Sequence, residues 1–370
     1  MKSYKLLIIG GFPGSSKKIY GGIARSCQLI LDSSSFDDFK IIKLDSSQIS
    51  HPPQNIFIKS LRALFRIINY LFILTTKQPN VILIFCSDGA SAIEKGVMTL
   101  IARLFKIKSI IFPRAGNLIK QVKKSNLFLS LISVLFNRAD VFLCQGKKWE
   151  DFALTSLNLD KKRVKIISNW TATLDLLKVG ATRDNHKKKD KIKLLFVGWL
   201  EKEKGIMEII KTFNNLIKKD YSIHLTLIGD GRIKKKAIEY VKRNNLSKNV
   251  LFKGWMESDK ILEYYKNSDI FLLPSWQEGM PNALIEALAC KLATVTTSVG
   301  MIPDYLTHNK SSLIIKPKDE GALNSALEKL ITNSASREMI SNEGYLIAKE
   351  YFSTEKSLNK LAIIIKETLN

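Results

Sequence analysis

The chain has 370 residues, of which 45% are hydrophobic and 25% charged, a composition that fits a soluble globular protein and excludes a disordered or fibrous one. That length exceeds one ordinary hydrophobic core, so two domains of roughly 150 to 200 residues are expected. The formal net charge is +24, and residues 1–190 carry most of it, with 31 Lys and Arg against 13 Asp and Glu, compared with 27 against 21 in residues 191–370. A basic half of this kind attracts nucleic acid or an anionic lipid surface; a Lys-rich solvated surface is the plainer alternative.

The opening "MKSYKLLIIGGFPGSS" has an apolar run of only about five residues before Gly and Pro, short of the roughly 7 to 15 of a secretory signal, and is read as a first strand. Further β-branched apolar runs follow at 39–45, 81–86, 109–116, 141–146 and 164–169, separated by segments with helical spacing. This alternation predicts βαβ units around a buried parallel sheet, over residues 1–180. The polar stretch "GATRDNHKKKDK" (180–191) reads as a linker. The pattern then restarts at 192–199, 223–231, 250–255, 270–274, 293–300 and 311–317, predicting a second doubly wound domain over residues 181–353. The class is therefore α/β, two Rossmann-like domains facing across a cleft beyond their strand ends. The last segment, 354–370, is helical in pattern and is free to pack back on the first domain.

Residues 55–77, "NIFIKSLRALFRIINYLFILTTK", carry apolar residues at helical spacing interrupted by Lys59, Arg62 and Arg66, which argues against a spanning helix. The segment is read as a helix covering the sheet, with a basic amphipathic helix in a membrane interface as the alternative. The run "LFLSLISVLF" (127–136), preceded by "KQVKKSN", is read the same way. Cys27, Cys86, Cys144 and Cys290 form no CxxC pair and three sit in apolar runs, which fits a reduced cytoplasm.

The stretch "PSWQEGMPNALIEALAC" (274–290) places a strand end, a loop and a helix start in succession, with Glu278 and Glu286 on either side of the break. Pro281 suits the first helical turn, where its missing N–H loses no partner. The amides and dipole of that helix start make an anion site suited to a diphosphate, and Gly279 lets the backbone come close. Glu286 leans back toward the helix start and can reach a polyol such as a ribose; Glu278 can accept hydroxyls of whatever the diphosphate carries. A Glu that merely complements the dipole is the alternative for either one alone.

Together, "EGMPNALIEALAC" and "SVGMIPDYL" resemble the signature of family 4 glycosyltransferases, which are retaining, GT-B-fold, nucleotide-sugar-dependent enzymes. The resemblance covers residues 192–305 most closely and 1–30 less so. It implies that Glu278 contacts the donor sugar and Glu286 the nucleotide ribose. "FVGWLEKEKGI" resembles the family's strand and turn whose lysine neutralises the donor diphosphate, which implies that role for Lys204, with Gly198 beside it. The departure is Trp199, where an Arg is common; Lys202 or Arg232 is a candidate replacement. Gly254 and its neighbours match the strand flanking the base, while Met280, Pro281 and Asn282 complete the donor side. "YGGIAR" looks like the amino-terminal glycine loop, with Gly21 and Gly22 allowing close approach on the acceptor side.

Many members carry a His near "FPRAGN"; here Arg114 stands in that region, either stabilising charge on the leaving diphosphate or salt-bridged within the fold. Asp88 is an acceptor-side candidate or a helix cap. No DxD element appears, so neither metal nor cofactor is expected beyond the nucleotide-sugar donor, and a front-face reaction is expected over a nucleophilic Glu278. The resemblance implies surface polysaccharide synthesis from a UDP-sugar, or a GDP-sugar, onto a lipid-diphosphate-linked glycan at the cytoplasmic face of an anionic membrane, with no nucleic-acid partner. The alternatives are a UDP-sugar 2-epimerase of the same architecture, an oxidoreductase, which "GGFPG" without GxGxxG disfavours, and a basic nucleic-acid-binding or scaffold protein, although the aromatics do not interleave with the basic runs.

Overall fold

The structure is a computed structural model that describes residues 4–12, 21–47, 55–184 and 191–370. The chain divides into two compact units, Met1–Trp170 together with Thr354–Asn370, and Thr171–Ser353. Each of the twelve predicted strand segments contains a strand; the inner strands are apolar along their length because they are buried on both faces of a parallel sheet, while the edge strands at Phe39–Asp45 and Val250–Gly254 keep exposed positions such as Lys40 and Lys253.

The first unit runs β1 (Tyr4–Gly10), α1 (Gly22–Leu31), β2 (Phe39–Asp45), α2 (Ile56–Lys77), β3 (Val81–Cys86), α3 (Ala90–Leu104), β4 (Lys108–Pro113), α4 (Asn117–Lys124), α5 (Asn126–Phe136), β5 (Val141–Cys144), α6 (Lys147–Thr155) and β6 (Val164–Ile166). Its sheet has the order β2-β1-β3-β4-β5-β6 and is parallel throughout. Alternate residues of β1 serve opposite faces, as the pleat requires. Leu7 and Ile9 pack with Tyr70, Ile73 and Leu74 of α2 and Met98 of α3, while Leu6 and Ile8 belong to the cluster on the other face. That second cluster includes Leu358, Leu361 and Ile365, so the carboxy-terminal helix of the chain packs on the first unit. Lys366 Nζ, 2.7 Å from Asp38, ties its end there.

The second unit runs α7 (Leu174–Thr182), β7 (Ile192–Val197), α8 (Ile206–Ile217), β8 (Ile223–Ile228), α9 (Lys234–Arg243), β9 (Val250–Gly254), α10 (Ser258–Asn267), β10 (Ile270–Leu273), α11 (Asn282–Ala289), β11 (Ala293–Thr297), α12 (Ile302–Tyr305), β12 (Leu313–Ile315), α13 (Glu320–Thr332) and α14 (Ser334–Tyr351); α15 (Thr354–Leu369) is the helix returned to the first unit. The expected boundary at 180 is corrected to 170. Trp170 is fully buried with Phe85 and Phe112 of the first unit, whereas Gly180 of α7 lies so close to Tyr345 that a Cβ would be 2.6 Å from its ring. Arg183, read as linker, instead donates to the carbonyls of Cys290 (2.7 Å) and Ser268 (2.6 Å), satisfying acceptors where α11 and α10 end. Residues 185–190 of that stretch lie outside the described residues.

All four cysteines are free and buried. Burial pushes the thiols of Cys27, Cys86 and Cys290 up to about 12, and raises that of Cys144 as well. Because the thiolate is the reactive species, none of the four should react with a disulfide reagent in the native protein near pH 8, and all four should react on denaturation. Rapid native labelling of any one, counted spectrophotometrically, contradicts this. Among the described residues no helix is long and apolar enough to cross a membrane.

Candidate active site

The second sheet has the order β12-β11-β10-β7-β8-β9, and all its strands are parallel. The chain leaves β7 toward β8 and β9, then returns to lay β10 on the other side of β7. The loops after β7 and β10 therefore part at a topological switch point, where open α/β sheets form a crevice. Lys204 ends the short 3-10 turn after β7, and Glu278 lies in the loop after β10. Lys204 Nζ stands 2.6 Å from Glu278 Oε1, with the two side chains 25% and 9% exposed. Sequence reasoning gave these residues separate parts of a ligand; the structure joins them into one ion pair across the switch point.

Each side of this pair is fastened by backbone geometry. Gly205 follows Lys204 at φ +71, and a Cβ there would lie 2.5 Å from Pro274 O, so the turn passes under the exit of β10 only with glycine. Trp276 N–H donates to Glu203 O at 2.7 Å and its indole N–H to Glu208 Oε1 at 2.9 Å, which pins the β10 loop to the β7 turn and to α8. Gly279 O accepts from Met301 N–H at 2.9 Å, and Gly300, at φ +59, leaves no room for a Cβ against the Glu278–Gly279 backbone. The "SVGM" stretch is thus the floor under "EGM".

Pro281 is the N-cap of α11, one residue before its first turn, with φ −75 and ψ 124, a small correction to its expected place. The first bond of the helix runs from Ile285 N–H to Pro281 O, so the amides of the first turn point outward along the axis. Asn282 begins the helix, and Met280 is only 5% exposed. Glu286 is partly buried and accepts from Tyr265 Oη at 2.9 Å. Burial first, and the Glu286 charge next, raise the Tyr265 phenol well above its ordinary range, so it remains a donor. Nothing in "ILEYYKNSDI" marked Tyr265, because a buried tyrosine on a helix reads as core.

Gly198, Gly254 and Gly229 meet in one backbone layer at the strand ends. Gly198 N–H donates to Ile228 O at 3.0 Å and Gly229 N–H to Gly254 O at 2.8 Å, and Gly229 has no space for a Cβ against Gly198 O. Trp199 is partly exposed beside them. Of the two proposed replacements for an arginine at 199, Arg232 is committed elsewhere: its Nε is 2.7 Å from Glu201 Oε2 and its backbone N–H 3.0 Å from Oε1. Lys202 Nζ lies 5.6 Å from the Trp276 ring centroid.

The remaining candidates belong to the first unit, where β1 and β3 part at its own switch point. Gly21 caps α1 at φ +87, a conformation that favours glycine, yet a Cβ there would meet nothing within 4 Å. The close approach assigned to Gly21 and Gly22 falls instead on Gly11, where a Cβ would lie 2.9 Å from Ala24, and on Gly10 against Cys27. Tyr20 of the same motif is outside the described residues, and Gly22 is the first residue of α1. Asp88 caps no helix with its side chain: its Oδ2 accepts from Asn117 Nδ2 at 2.7 Å, joining the β3 and β4 loops, and Gly89 is the N-cap of α3.

Arg114 makes no salt bridge among the described residues. Its Nη2 donates to Ser26 Oγ at 3.0 Å, its guanidinium carbon lies 4.8 Å and 5.1 Å from the Phe112 and Trp170 ring centroids, and its enclosed Nη1 has no hydrogen-bond partner. Burial pushes it down to about 10, still a cation at neutral pH. Among the described residues no group of three His, Cys, Asp or Glu could hold a metal ion.

Two parallel α/β units of this topology are the GT-B architecture of glycosyltransferases. The chain superimposes on a sucrose-phosphate synthase from Thermosynechococcus elongatus with a TM-score of 0.77, at 16% identity and over 98% of each chain. Residues 181–346 match the family described as "Glycosyl transferases group 1". It is 31% identical over 182 residues to the capsular polysaccharide biosynthesis glycosyltransferase CapM of Staphylococcus aureus, covering 46% of this chain and 47% of the relative. A Campylobacter jejuni N-acetylgalactosamine-N,N'-diacetylbacillosaminyl-diphospho-undecaprenol 4-alpha-N-acetylgalactosaminyltransferase is 24% identical over 311 residues, covering 82% and 81%. The chain thus spans about half the length of the first of these curated relatives.

Proposed function

We propose that the protein is a retaining glycosyltransferase that moves a sugar from a nucleotide diphosphate sugar, a UDP-sugar first, to a lipid-linked saccharide in surface polysaccharide synthesis. The observation that carries this reading is the Lys204–Glu278 pair across the β7/β10 switch point. An ammonium paired to the loop that leads into α11, together with the outward-pointing amides of that helix, is suited to a diphosphate leaving group, and a carboxylate in the same loop is suited to sugar hydroxyls. Donor binding would open this 2.6 Å pair, Lys204 turning to phosphate oxygens and Glu278 to sugar hydroxyls, and so hold both parts of the donor at one point.

Glu286, oriented by Tyr265, would take the ribose hydroxyls. As the bond from the anomeric carbon to the diphosphate oxygen breaks, Lys204 and the amides carry the charge developing on that oxygen, and the departing phosphate takes the acceptor proton on the same face. This assigns charge neutralisation to protein groups without a metal. Gly21, Gly22 and Asp88 are proposed for the acceptor side, and the Arg114 cation for stabilising charge on the leaving diphosphate. CapM supports the pathway by its name and the Campylobacter relative supports a diphosphate-lipid acceptor by its own. Such an acceptor places the enzyme at the cytoplasmic face of an anionic membrane.

The test is binding of UDP, GDP, ADP and CMP by calorimetry, followed by transfer from the matching nucleotide sugars. Saturable UDP binding with release of UDP from a UDP-sugar on adding lipid-linked acceptor is expected. Interconversion of UDP-sugars without acceptor would move the reading to an epimerase, and absence of any nucleotide binding would sink it.

A further inference from the structure

Helices α10 and α11, which carry Tyr265 and Glu286, end at one guanidinium. Arg183 is the C-cap of α7. Its Nη2 donates to Tyr265 O at 2.5 Å and Lys266 O at 3.0 Å, its Nη1 to Ser268 O at 2.6 Å and its Nε to Cys290 O at 2.7 Å. Ser268 is the C-cap of α10 and Cys290 that of α11. Carbonyls at a helix C-terminus have no partner within the helix, and each terminus carries the negative end of a dipole. A planar cation with a rigid fork of donors suits a position between two such ends, whereas a lysine brings the charge without the fork.

Capping alone does not explain which residues are gripped. Tyr265 is held at both ends, its carbonyl by Arg183 and its hydroxyl by Glu286 Oε2, 2.9 Å away. Glu286 O in turn accepts from Cys290 N–H at 3.0 Å, and Cys290 O accepts from Arg183. The contacts close into a ring that runs from Arg183 to Tyr265, Glu286, Cys290 and back to Arg183. Its base is rigid, since Gly180 of α7 leaves no room for a Cβ against Ala289 O and Leu177 O accepts from Tyr345 Oη at 3.3 Å. With the carbonyls of Tyr265 and Cys290 tied together, α10 slides along α11 only by breaking a charge-assisted bond. The reach from Tyr265 Oη to Glu286 is fixed with it.

We infer that Arg183 is a positioning residue for the donor nucleotide, acting through Tyr265 to hold the Glu286 carboxylate where it meets the ribose. The inference rests on the reading of Glu286 given above and deepens it. Arg183 grips the end of α11 opposite the amides that face the diphosphate, about 12 Å away along a helix of eight residues. Its effect on nucleotide affinity is therefore transmitted through the ring of contacts.

UDP affinity of the full chain is measured by calorimetry for wild type, Arg183→Met, Arg183→Lys, Tyr265→Phe, Glu286→Ala and R183M/Y265F, each below the onset of its thermal melt. Arg183→Met is expected to bind UDP about tenfold more weakly, as loss of a charged hydrogen bond at the clasp implies, and Arg183→Lys to fall between it and wild type. The double variant is expected to bind no more weakly than the weaker single one, because both changes act on the same carboxylate. If Arg183→Met does not melt cooperatively, Arg183→Lys takes its place in the cycle. A merely structural clasp would lower the melting temperature of Arg183→Met and leave its UDP affinity unchanged, or its loss would multiply with that of Tyr265→Phe. Either result, with Glu286→Ala still defective, overturns the inference alone. Unchanged affinity in Glu286→Ala, or no UDP binding by the wild type, overturns the ribose reading and the inference with it.

Discussion

Lys204→Met should lower the rate of sugar transfer by roughly 10² to 10³-fold while leaving the protein folded, because one preorganised cation at a developing anion is worth about that much. Its stability cost should be smaller than that of breaking a fully buried pair, which runs to roughly 3–5 kcal/mol. Lys204 is a quarter exposed and water can reach Glu278 once the ammonium is gone, so about 1–3 kcal/mol is expected. Glu278→Gln separates the possible roles of the pair. If Lys204 only holds Glu278 in place, the double variant should transfer no more slowly than the worse single one. If the two touch different parts of the donor, the losses should multiply, and the double-mutant cycle should show little coupling. Near-complete coupling would reduce Lys204 to a positioning residue and return leaving-group stabilisation to the amides of α11. Lys204→Arg keeps the charge but replaces a compact ammonium by a planar fork, so partial recovery is expected from it.

The same pair shows where the sequence could and could not be read. Both residues were legible individually, because "EGMPN" and "EKEKG" each place a charged side chain at a strand-to-helix turn. Their contact was not, since it depends on β10 lying next to β7 and not next to β9, its neighbour in sequence. Apolar runs announced the inner strands for the converse reason, that burial on both faces forces a run whatever the strand order; the edge strands β2 and β9 are half-exposed and still carry enough apolar residues to be legible. Helix α2 was ambiguous because its apolar residues cover more than one face, and spacing alone cannot say which face meets the sheet. The boundary was misplaced for a local reason. A polar stretch looks like a linker, but the backbone carbonyls at the ends of α10 and α11 need donors, and Arg183 supplies them. Glycines carried the least positional information: "GGF" and "YGG" look alike, yet the first pair is needed for contact with α1 and Gly21 for its positive φ.

Tyr265→Phe should weaken binding of the donor nucleotide about tenfold with little change in kcat, and Glu286→Ala should weaken it further, by roughly a hundredfold. The hydroxyl of Tyr265 lies 2.9 Å from Glu286 Oε2 and 3.3 Å from Ala283 O, and its one proton serves the shorter contact, a hydrogen bond to a charged acceptor worth about 1.5–3 kcal/mol. Losing it removes one of the contacts that orient a carboxylate which must be held still if it is to meet two ribose hydroxyls at once. The ring itself is 1% exposed and packs on Phe271 with centroids 6.1 Å apart, and phenylalanine preserves both features. A loss in Tyr265→Phe therefore reports orientation and not a cavity. The pH profile provides a second readout. Because burial raises the phenol well above its ordinary range, it should not ionise as the solution is made alkaline, and nucleotide affinity should show no Tyr265-linked loss up to about pH 10. A variant that melts earlier but binds the nucleotide as tightly as wild type would make the Tyr265–Glu286 bond a structural strut between α10 and α11, and the ribose contact would then have to be sought in the backbone layer of Gly198, Gly229 and Gly254.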